Sequence, residues 1–148
     1  MKMKHEHLVP LSNQAVGVLQ AVRPLTGRGP LVFPNARFAH RPMSENAIGY
    51  LLNRAGYHSR HVPHGWRATF STIMNERFEH DRHIIDLMLA HVPKDSAEGA
   101  YNRAKHLERR IELAQAWSDL IMTDQMPIED LISLRRRPAF RLATTAKI

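Results

Sequence analysis

Apolar residues recur at helical spacing in five stretches of this chain, and this periodicity constrains its fold to a mainly helical one. The first stretch follows a capping residue, Ser12 or Asn13, and is expected to stop at Pro24. The second follows a cap at Ser44 and is expected to stop at Gly56, a residue type that commonly ends helices. The inward faces predicted for these two helices are Ala15, Val16, Leu19 and Val22 in the first, and Ala47, Ile48, Leu51, Leu52 and Ala55 in the second.

Three further strong helices are predicted in the second half of the chain. They run from Gly65 to about Phe78, from about Asp81 to Ala90, and from about Leu107 to Met122. A short helix beginning at Asp95 or Ser96 is expected before the last of them. The predicted inward faces are Phe70, Ile73 and Met74, then Ile84, Ile85, Met88 and Leu89, and finally Leu107, Ile111, Ala114, Trp117 and Ile121.

Extended structure is predicted only in the first quarter of the chain. His7–Leu11 has the character of a short strand, and Leu31–Pro34 that of a short buried extended piece. The predicted fold class is therefore mainly α with a small β element at the N-terminus. The pattern fades beyond Thr123 and a basic run follows at Arg135–Arg137, so we expect one domain over residues 1–123 and a basic C-terminal tail over 124–148.

The charge balance points to a polyanionic partner. Lys and Arg total 21 against 14 Asp and Glu, which gives a net charge of +7 and a pI of about 10.4. A basic protein without a nucleic-acid partner remains the alternative on charge alone. Cysteine is absent, which excludes disulfides, thiolate metal sites and cysteine nucleophiles. No apolar run approaches the ~20 residues of a membrane span, and the start lacks the apolar core of a signal peptide, so a cytoplasmic protein is expected.

Residues suited to phosphate chemistry occur in a defined order along the chain. His64 and Arg67 open the stretch HGWRATFSTIMNE, and His91 and Tyr101 lie in LMLAHVPKDSAEGAYNR. With the opening MKMKHEHLVPLS, this ordered set resembles the tyrosine recombinases of the phage-integrase family, particularly integrases of prophages and integrative islands. The resemblance runs from the first residue to about Met122, and it implies a partial tyrosine-recombinase catalytic domain of α+β type.

The resemblance also implies a role for each of these residues. Tyr101 would be the nucleophile that forms a 3′-phosphotyrosyl link, and Arg67 would clamp the phosphate oxygens through its planar fork. His64 would sit beside Arg67 as a phosphate donor and possible proton acceptor for the tyrosine. His91 would donate a further hydrogen bond to the phosphate. Taken singly, each has an ordinary structural interpretation, and only the joint order and spacing favour the catalytic one.

A lysine in a β-hairpin serves this family as the general acid, eight positions before the proline of a V-P-L segment. Counting back from Pro10 reaches Lys2, with Lys4 as the competing choice on the same strand face. The family also uses a first arginine upstream of that hairpin, and no arginine in this sequence matches it. The resemblance therefore implies that the chain is the C-terminal catalytic part of a recombinase and is inactive alone. Apolar surface that would meet the upstream part is expected to be exposed, at Trp66 or the Leu51–Leu52 face.

The implied partners are double-stranded attachment-site DNA and either further copies of the chain or an intact integrase, in the cytoplasm at the nucleoid. No cofactor is implied, because the phosphotyrosyl link stores the bond energy.

A non-enzymatic remnant that binds DNA or docks on an integrase is the main alternative, and a type IB topoisomerase is a remoter one. The HxxHxxH spacing of His58, His61 and His64 admits a zinc site, although Pro63 interrupts it, and His5 and His7 pair on one strand face.

Overall fold

Five α-helices form the part of the chain that the computed structural model describes, which comprises residues 7–91, 106–127 and 130. A π-helical turn, Asn53–Tyr57, follows the second helix, and a 3₁₀ turn, Glu79–Asp81, precedes the fourth. The predicted mainly α class is confirmed. The predicted short helix that carries Tyr101 and most of the predicted tail lie outside the described residues. The helices are α1 (Asn13–Thr26), α2 (Ala47–Leu52), α3 (Gly65–Arg77), α4 (Arg82–Met88) and α5 (Leu107–Met122).

A small core lies between α3, α4 and α5. Phe70 of α3 meets Trp117 of α5 edge to face, with ring centroids 5.3 Å apart, a geometry that aromatic pairs favour. The inward face predicted for α4 is confirmed, and that of α3 is confirmed for Phe70 and Met74, whereas Ile73 is only half-buried. The fully buried members of the core are Met74, Ile84, Ile85, Leu89 and Leu113, with Phe70, Phe78, Met88 and Trp117 packed around them.

The bounds predicted for α5 are confirmed, but the predicted inward face is partly wrong. Ile111 and Ile121 are about half exposed, whereas Leu113 and Arg110 are buried. The face that meets the core runs through Arg110, Leu113, Ala114 and Trp117, at the i, i+3, i+4, i+7 spacing of a helix. The sequence pattern missed it because an arginine is ordinarily assigned to the solvent side.

The segment that leads into α1 forms no strand. His7 to Ser12 lie outside any regular element, and the carbonyl oxygen of Leu8 accepts a hydrogen bond from the Arg110 guanidinium of α5. The strand predicted at His7–Leu11 is therefore not formed within the described residues, where that carbonyl is satisfied by a side chain instead of a neighbouring strand.

Polar contacts between Ser12–Gln14 and α5 hold the start of α1. Ser12 is the N-cap, since its Oγ accepts from the Ala15 amide at 3.2 Å, and the same oxygen accepts from the Ser118 hydroxyl at 2.6 Å. The Asn13 amide donates to Gln115 Oε1 at 3.0 Å, and Gln115 Nε2 donates to the Gln14 side chain at 2.8 Å.

Helix α1 does not stop at Pro24 as predicted. It continues to Thr26, because a proline in the last turn removes only one amide donor, and the helix closes where the Gly27 amide donates to the Arg23 carbonyl at 2.7 Å.

Helix α2 contacts little besides the π-helical turn that follows it. Ser44 does not cap it, since the N-cap is Asn46, which makes no capping hydrogen bond through its side chain. Gly56, with φ of +91°, ends the helical run as predicted, because only glycine adopts this conformation without strain. The predicted inward face is wrong, since Ile48 is 43% exposed and Leu51 55% exposed.

The piece predicted to be buried at Leu31–Pro34 is also more exposed than expected. Val32 and Phe33 are each about half exposed, and the extended character is limited to an isolated antiparallel bridge between Pro34 and Pro42.

No helix among the described residues combines the length and the apolar character needed to cross a membrane.

Candidate active site

Arg67 lies in the first turn of α3 and reaches across to the end of α4. Its Nη2 donates to the carbonyl oxygen of Leu89, which is two residues before His91. The side chain is otherwise exposed, and its remaining N–H groups have no partner within the described residues. One bond thus fixes the guanidinium beside the turn that leads to His91 and leaves donors available for an anion.

His91 lies three residues after Met88, the last residue of α4, at the end of a tight turn. The turn closes through Ala90, whose φ is +53°, and through the His91 amide, which donates to the Asp86 carbonyl at 3.0 Å. The His91 Nδ1 lies 3.3 Å from Asp86 Oδ1, so that Nδ1–H can donate to the carboxylate. Because the side chain is 59% exposed, its Nε2 is accessible to a ligand.

His64 occupies the N-cap position of α3, one turn before Arg67. Its own side chain makes no capping hydrogen bond, and its carbonyl accepts from the Arg67 amide at 3.1 Å. Residues three apart on a helical turn project from neighbouring positions, so the exposed His64 imidazole and the Arg67 guanidinium share one end of α3.

A cavity of about 310 Å³ places the N-terminal segment next to Arg67. The walls come from the segment before α1, from α3, from the end of α4 and from α5. Most of the lining is apolar, and its polar members are one histidine, two arginines and two serines. The lining residues are His7, Val9, Pro10, Ser12, Ala15, Trp66, Arg67, Phe70, Met88, Leu89, Arg110, Ala114, Trp117 and Ser118.

Arg110 is the residue of this region that the sequence did not reveal. It is 4% exposed and donates to Leu8 O through Nη2, and its buried Nε has no hydrogen-bond partner among the described residues. Burial lowers the pKa of its guanidinium, because the charged form is the one that loses hydration. Its helical register with Leu113 and Trp117 was the only signal of its position.

Two of the predicted site residues, Tyr101 and Lys2, lie outside the described residues, as does the competing Lys4. The other three are placed at one end of the α3–α4 pair. Arg67 is tied to the turn before His91, and His64 stands one turn before Arg67.

The histidines of the HxxHxxH spacing do not gather around a metal position. Within residues 7–91, 106–127 and 130, no group of three or more His, Asp or Glu side chains is placed to hold a metal ion. His61 instead packs edge-on against Trp66, with ring centroids 4.6 Å apart. His5 lies outside the described residues.

Comparison with known proteins places the chain in a family. The model of the phage integrase family matches residues 1–108, and the chain belongs to that family. Among its curated relatives, prophage integrase IntZ of Escherichia coli K12 is 44% identical over 82% of the chain and 30% of its own length. Prophage integrase IntA of the same strain is 39% identical over 82% of the chain and 29% of its length. The integrase of Shigella phage Sf6 is 36% identical over 80% of the chain and 31% of its length.

The chain thus spans about 30% of the length of the curated relatives it matches. No solved structure gives a significant match.

Proposed function

We propose that this chain carries the C-terminal catalytic residues of a site-specific tyrosine recombinase that cleaves and rejoins double-stranded DNA. The observation that supports this most directly is the bond from Arg67 to Leu89 O, which holds an exposed guanidinium beside the turn leading to His91. Family membership supplies the reaction class, and the relatives named as integrases have the same implication.

In the proposed reaction, the Tyr101 hydroxyl oxygen attacks phosphorus and the bond from phosphorus to the 5′ oxygen breaks. The tyrosyl proton passes to a nearby base, for which His64 is the candidate. The departing 5′ oxygen takes a proton from Lys2 or Lys4, and the phosphate remains on Tyr101 as a 3′-phosphotyrosyl ester. Rejoining reverses these steps with the 5′ hydroxyl of another strand, so neither water nor a cofactor is consumed.

Arg67 and His91 stabilise the phosphorane-like transition state in this scheme. Charge builds on the nonbridging oxygens during attack, and donors already held in place lower the barrier without reorganising. The tie to Leu89 restricts Arg67, while Asp86 restrains the His91 ring through Nδ1. Removing one such donor typically costs on the order of 10²–10³ in rate.

The N-terminal β-hairpin that would carry the lysine belongs to the same proposal. His7, Val9 and Pro10 line the same cavity as Arg67, and this supports a lysine a few residues earlier approaching the site.

We further propose that residues 1–123 form the catalytic part and 124–148 a basic tail. Cleavage is proposed to require the family's first arginine, which has no match in these residues. The proposed partners are attachment-site DNA at the nucleoid and further copies of the chain or an intact integrase.

The test is covalent trapping on a nicked suicide DNA substrate. The chain is assayed alone and with the upstream segment of a related integrase supplied, and the adduct is resolved by denaturing electrophoresis. Tyr101→Phe is the nucleophile control. Arg67→Lys keeps the charge but loses the fork, and Arg77→Lys, at the other end of α3, makes the same exchange away from the site.

An adduct that appears with the upstream segment is the expected result. It should be abolished by Tyr101→Phe, reduced about 10²–10³-fold in rate by Arg67→Lys and left unchanged by Arg77→Lys. An adduct formed by the chain alone would show that the first arginine is dispensable. If no adduct forms although the protein is folded and its attachment-site DNA is present, the result would contradict the proposed cleavage activity. It would favour the alternative of a non-enzymatic protein that docks on an integrase.

A further inference from the structure

A closed loop over residues 33–43, here called the Phe38 loop, holds a basic cluster separate from the residues discussed above. Its ends are joined where the Met43 amide donates to the Phe33 carbonyl at 3.0 Å and the Asn35 amide donates to the Arg41 carbonyl at 2.8 Å. Inside the loop, Asn35 Oδ1 accepts from the amides of Arg37 and Phe38 at 2.9 and 3.1 Å. These bonds fix the backbone on both sides of Phe38.

Two guanidinium groups share the Phe38 ring. The Cζ of Arg37 lies 5.4 Å from the ring centroid and that of Arg41 lies 5.3 Å from it, both within cation–π range. His40 meets the ring edge-on at 6.1 Å. The phenylalanine is 43% exposed, so both guanidinium groups are restrained at the surface. Little further side-chain entropy is therefore lost when an anion binds them.

Among the described residues, no acidic side chain forms an ion pair with either arginine of this cluster. Residues 7–44 contain four arginines and neither Asp nor Glu, and the next acidic residue along the chain is Glu45. Two like charges held on one ring repel each other, and the ligand that relieves this repulsion is an anion able to meet both.

We propose that the Phe38 loop is a phosphate-contacting site for duplex DNA, in which Arg37 and Arg41 bind the backbone while Phe38 holds them in place. This inference rests on the proposed function, which supplies duplex DNA as the polyanion. The guanidiniums present the charge and the ring serves as their support, so binding is independent of base sequence and sensitive to salt.

The experiment measures binding of the full chain, carrying Tyr101→Phe, to a duplex of arbitrary sequence by fluorescence anisotropy from about 50 to about 200 mM salt. The test variant is Arg37→Ala with Arg41→Ala. The matched control is Arg77→Ala with Arg82→Ala, which removes the same charge from two exposed arginines without an ion pair in the described part of the chain. Thermal unfolding checks that each variant is folded.

The log–log salt slope of the test variant should be shallower than that of the parent by about 2, because each lost phosphate contact contributes about 0.9. Over a fourfold rise in salt, this is about a ten-fold smaller loss of affinity. Arg37→Lys with Arg41→Lys should keep most of the slope, and Phe38→Leu should weaken binding less than the arginine pair does.

The proposal would be overturned by an equal slope change in the matched control, by a slope unaffected by the arginine pair, or by no duplex binding of the parent at the lowest salt. Preferential binding of single strands that depends on Phe38 alone would also overturn it, in favour of base stacking. Because cleavage is blocked in these assays, failure here is distinct from failure of the trapping experiment, which tests Tyr101 and Arg67.

Discussion

At the scale of single residues, two arginines each donate a hydrogen bond to a backbone carbonyl of a distant segment, Arg67 to Leu89 and Arg110 to Leu8. His64, Arg67 and His91 were selected by order and spacing, and the structure places Arg67 one turn from His64 and tied to the turn before His91. Arg110 was not selected, since a charged residue on an amphipathic helix is normally assigned to solvent. Its burial depends on a contact with Leu8, about a hundred residues away, which local periodicity does not encode.

Truncating Arg110 should destabilise the protein more than replacing it with an apolar residue of similar length. Arg110→Ala removes both packing and the hydrogen bond to Leu8 O, and should lower the free energy of unfolding by about 2–4 kcal/mol. Arg110→Met keeps most of the packing and should cost about 1 kcal/mol. Urea unfolding monitored by circular dichroism gives both values. A methionine variant more stable than the parent would show that desolvation of the guanidinium outweighs its hydrogen bond.

At the scale of elements, one ion pair joins the turn before α4 to α5. Arg109 donates to the Asp81 carboxylate from Nη2 at 2.6 Å and from Nε at 3.1 Å. Its Cζ lies 5.8 Å from the centroid of the Phe78 ring, and its Nη1 forms a second ion pair with Glu112 Oε2 at 2.5 Å. The hydrogen bonds from Arg109 lower the pKa of Asp81 below its usual 3.8, although partial burial opposes the shift. The pair therefore stabilises the native state when Asp81 is charged.

The pH dependence of stability should reveal this pair. A carboxyl whose pKa is lowered by folding contributes its full stabilisation above its unfolded pKa, 3.8 for Asp81, and this contribution is lost as pH falls through the folded pKa. Asp81→Asn should cost about 1 kcal/mol at neutral pH, since Arg109 is partly exposed, and should flatten the decline below about pH 4. Melting temperatures between about pH 7 and pH 2 test this. Glu112→Gln, at a more exposed partner, is the control, and an equal effect there would contradict the assignment to Asp81.

Some of the helices could be predicted from the sequence, whereas the strand could not. The bounds of α3 and α5 were predicted to within one residue, because each has a clear apolar period and a distinct start. The strand at His7–Leu11 was not formed in the described residues, because pairing depends on a neighbour and not on the segment itself. Helix α2 has the composition of a buried helix, but little of the described chain covers it.

At the scale of the whole molecule, several of the exposed apolar side chains lie on α2 and around the start of α3. Trp66 is 54% exposed, Leu51 is similarly exposed, and Tyr50 and Val62 are more so. Gly49 of α2 faces the ring of Pro63, so α2 lies near the residues that lead into α3. Of the surface predicted to be exposed, at Trp66 or the Leu51–Leu52 face, Trp66 and Leu51 are exposed whereas Leu52 is half-buried. Exposed apolar side chains of this kind favour association.

Concentration-dependent self-association should follow from this surface. Leu51→Gln with Trp66→Gln should shift the protein toward monomer by sedimentation velocity, because it removes much of the apolar area available to a second copy. Leu25→Gln, which alters an exposed leucine at the end of α1, is the matched control. If the control shifts the equilibrium as far, association is not specific to the surface around α2 and α3.

The contact between α1 and α5 also bears on how the chain is made. Asn13 and Gln115 are 102 positions apart, so a ribosome adding about 5–20 residues per second completes α5 roughly 5–20 s after α1. A helix of 14 residues is marginal in water without tertiary support. During synthesis, α1 therefore lacks its contacts with α5 while the residues of α3 and α4 are added. Its amino-terminal end is fixed only after α5 has been made.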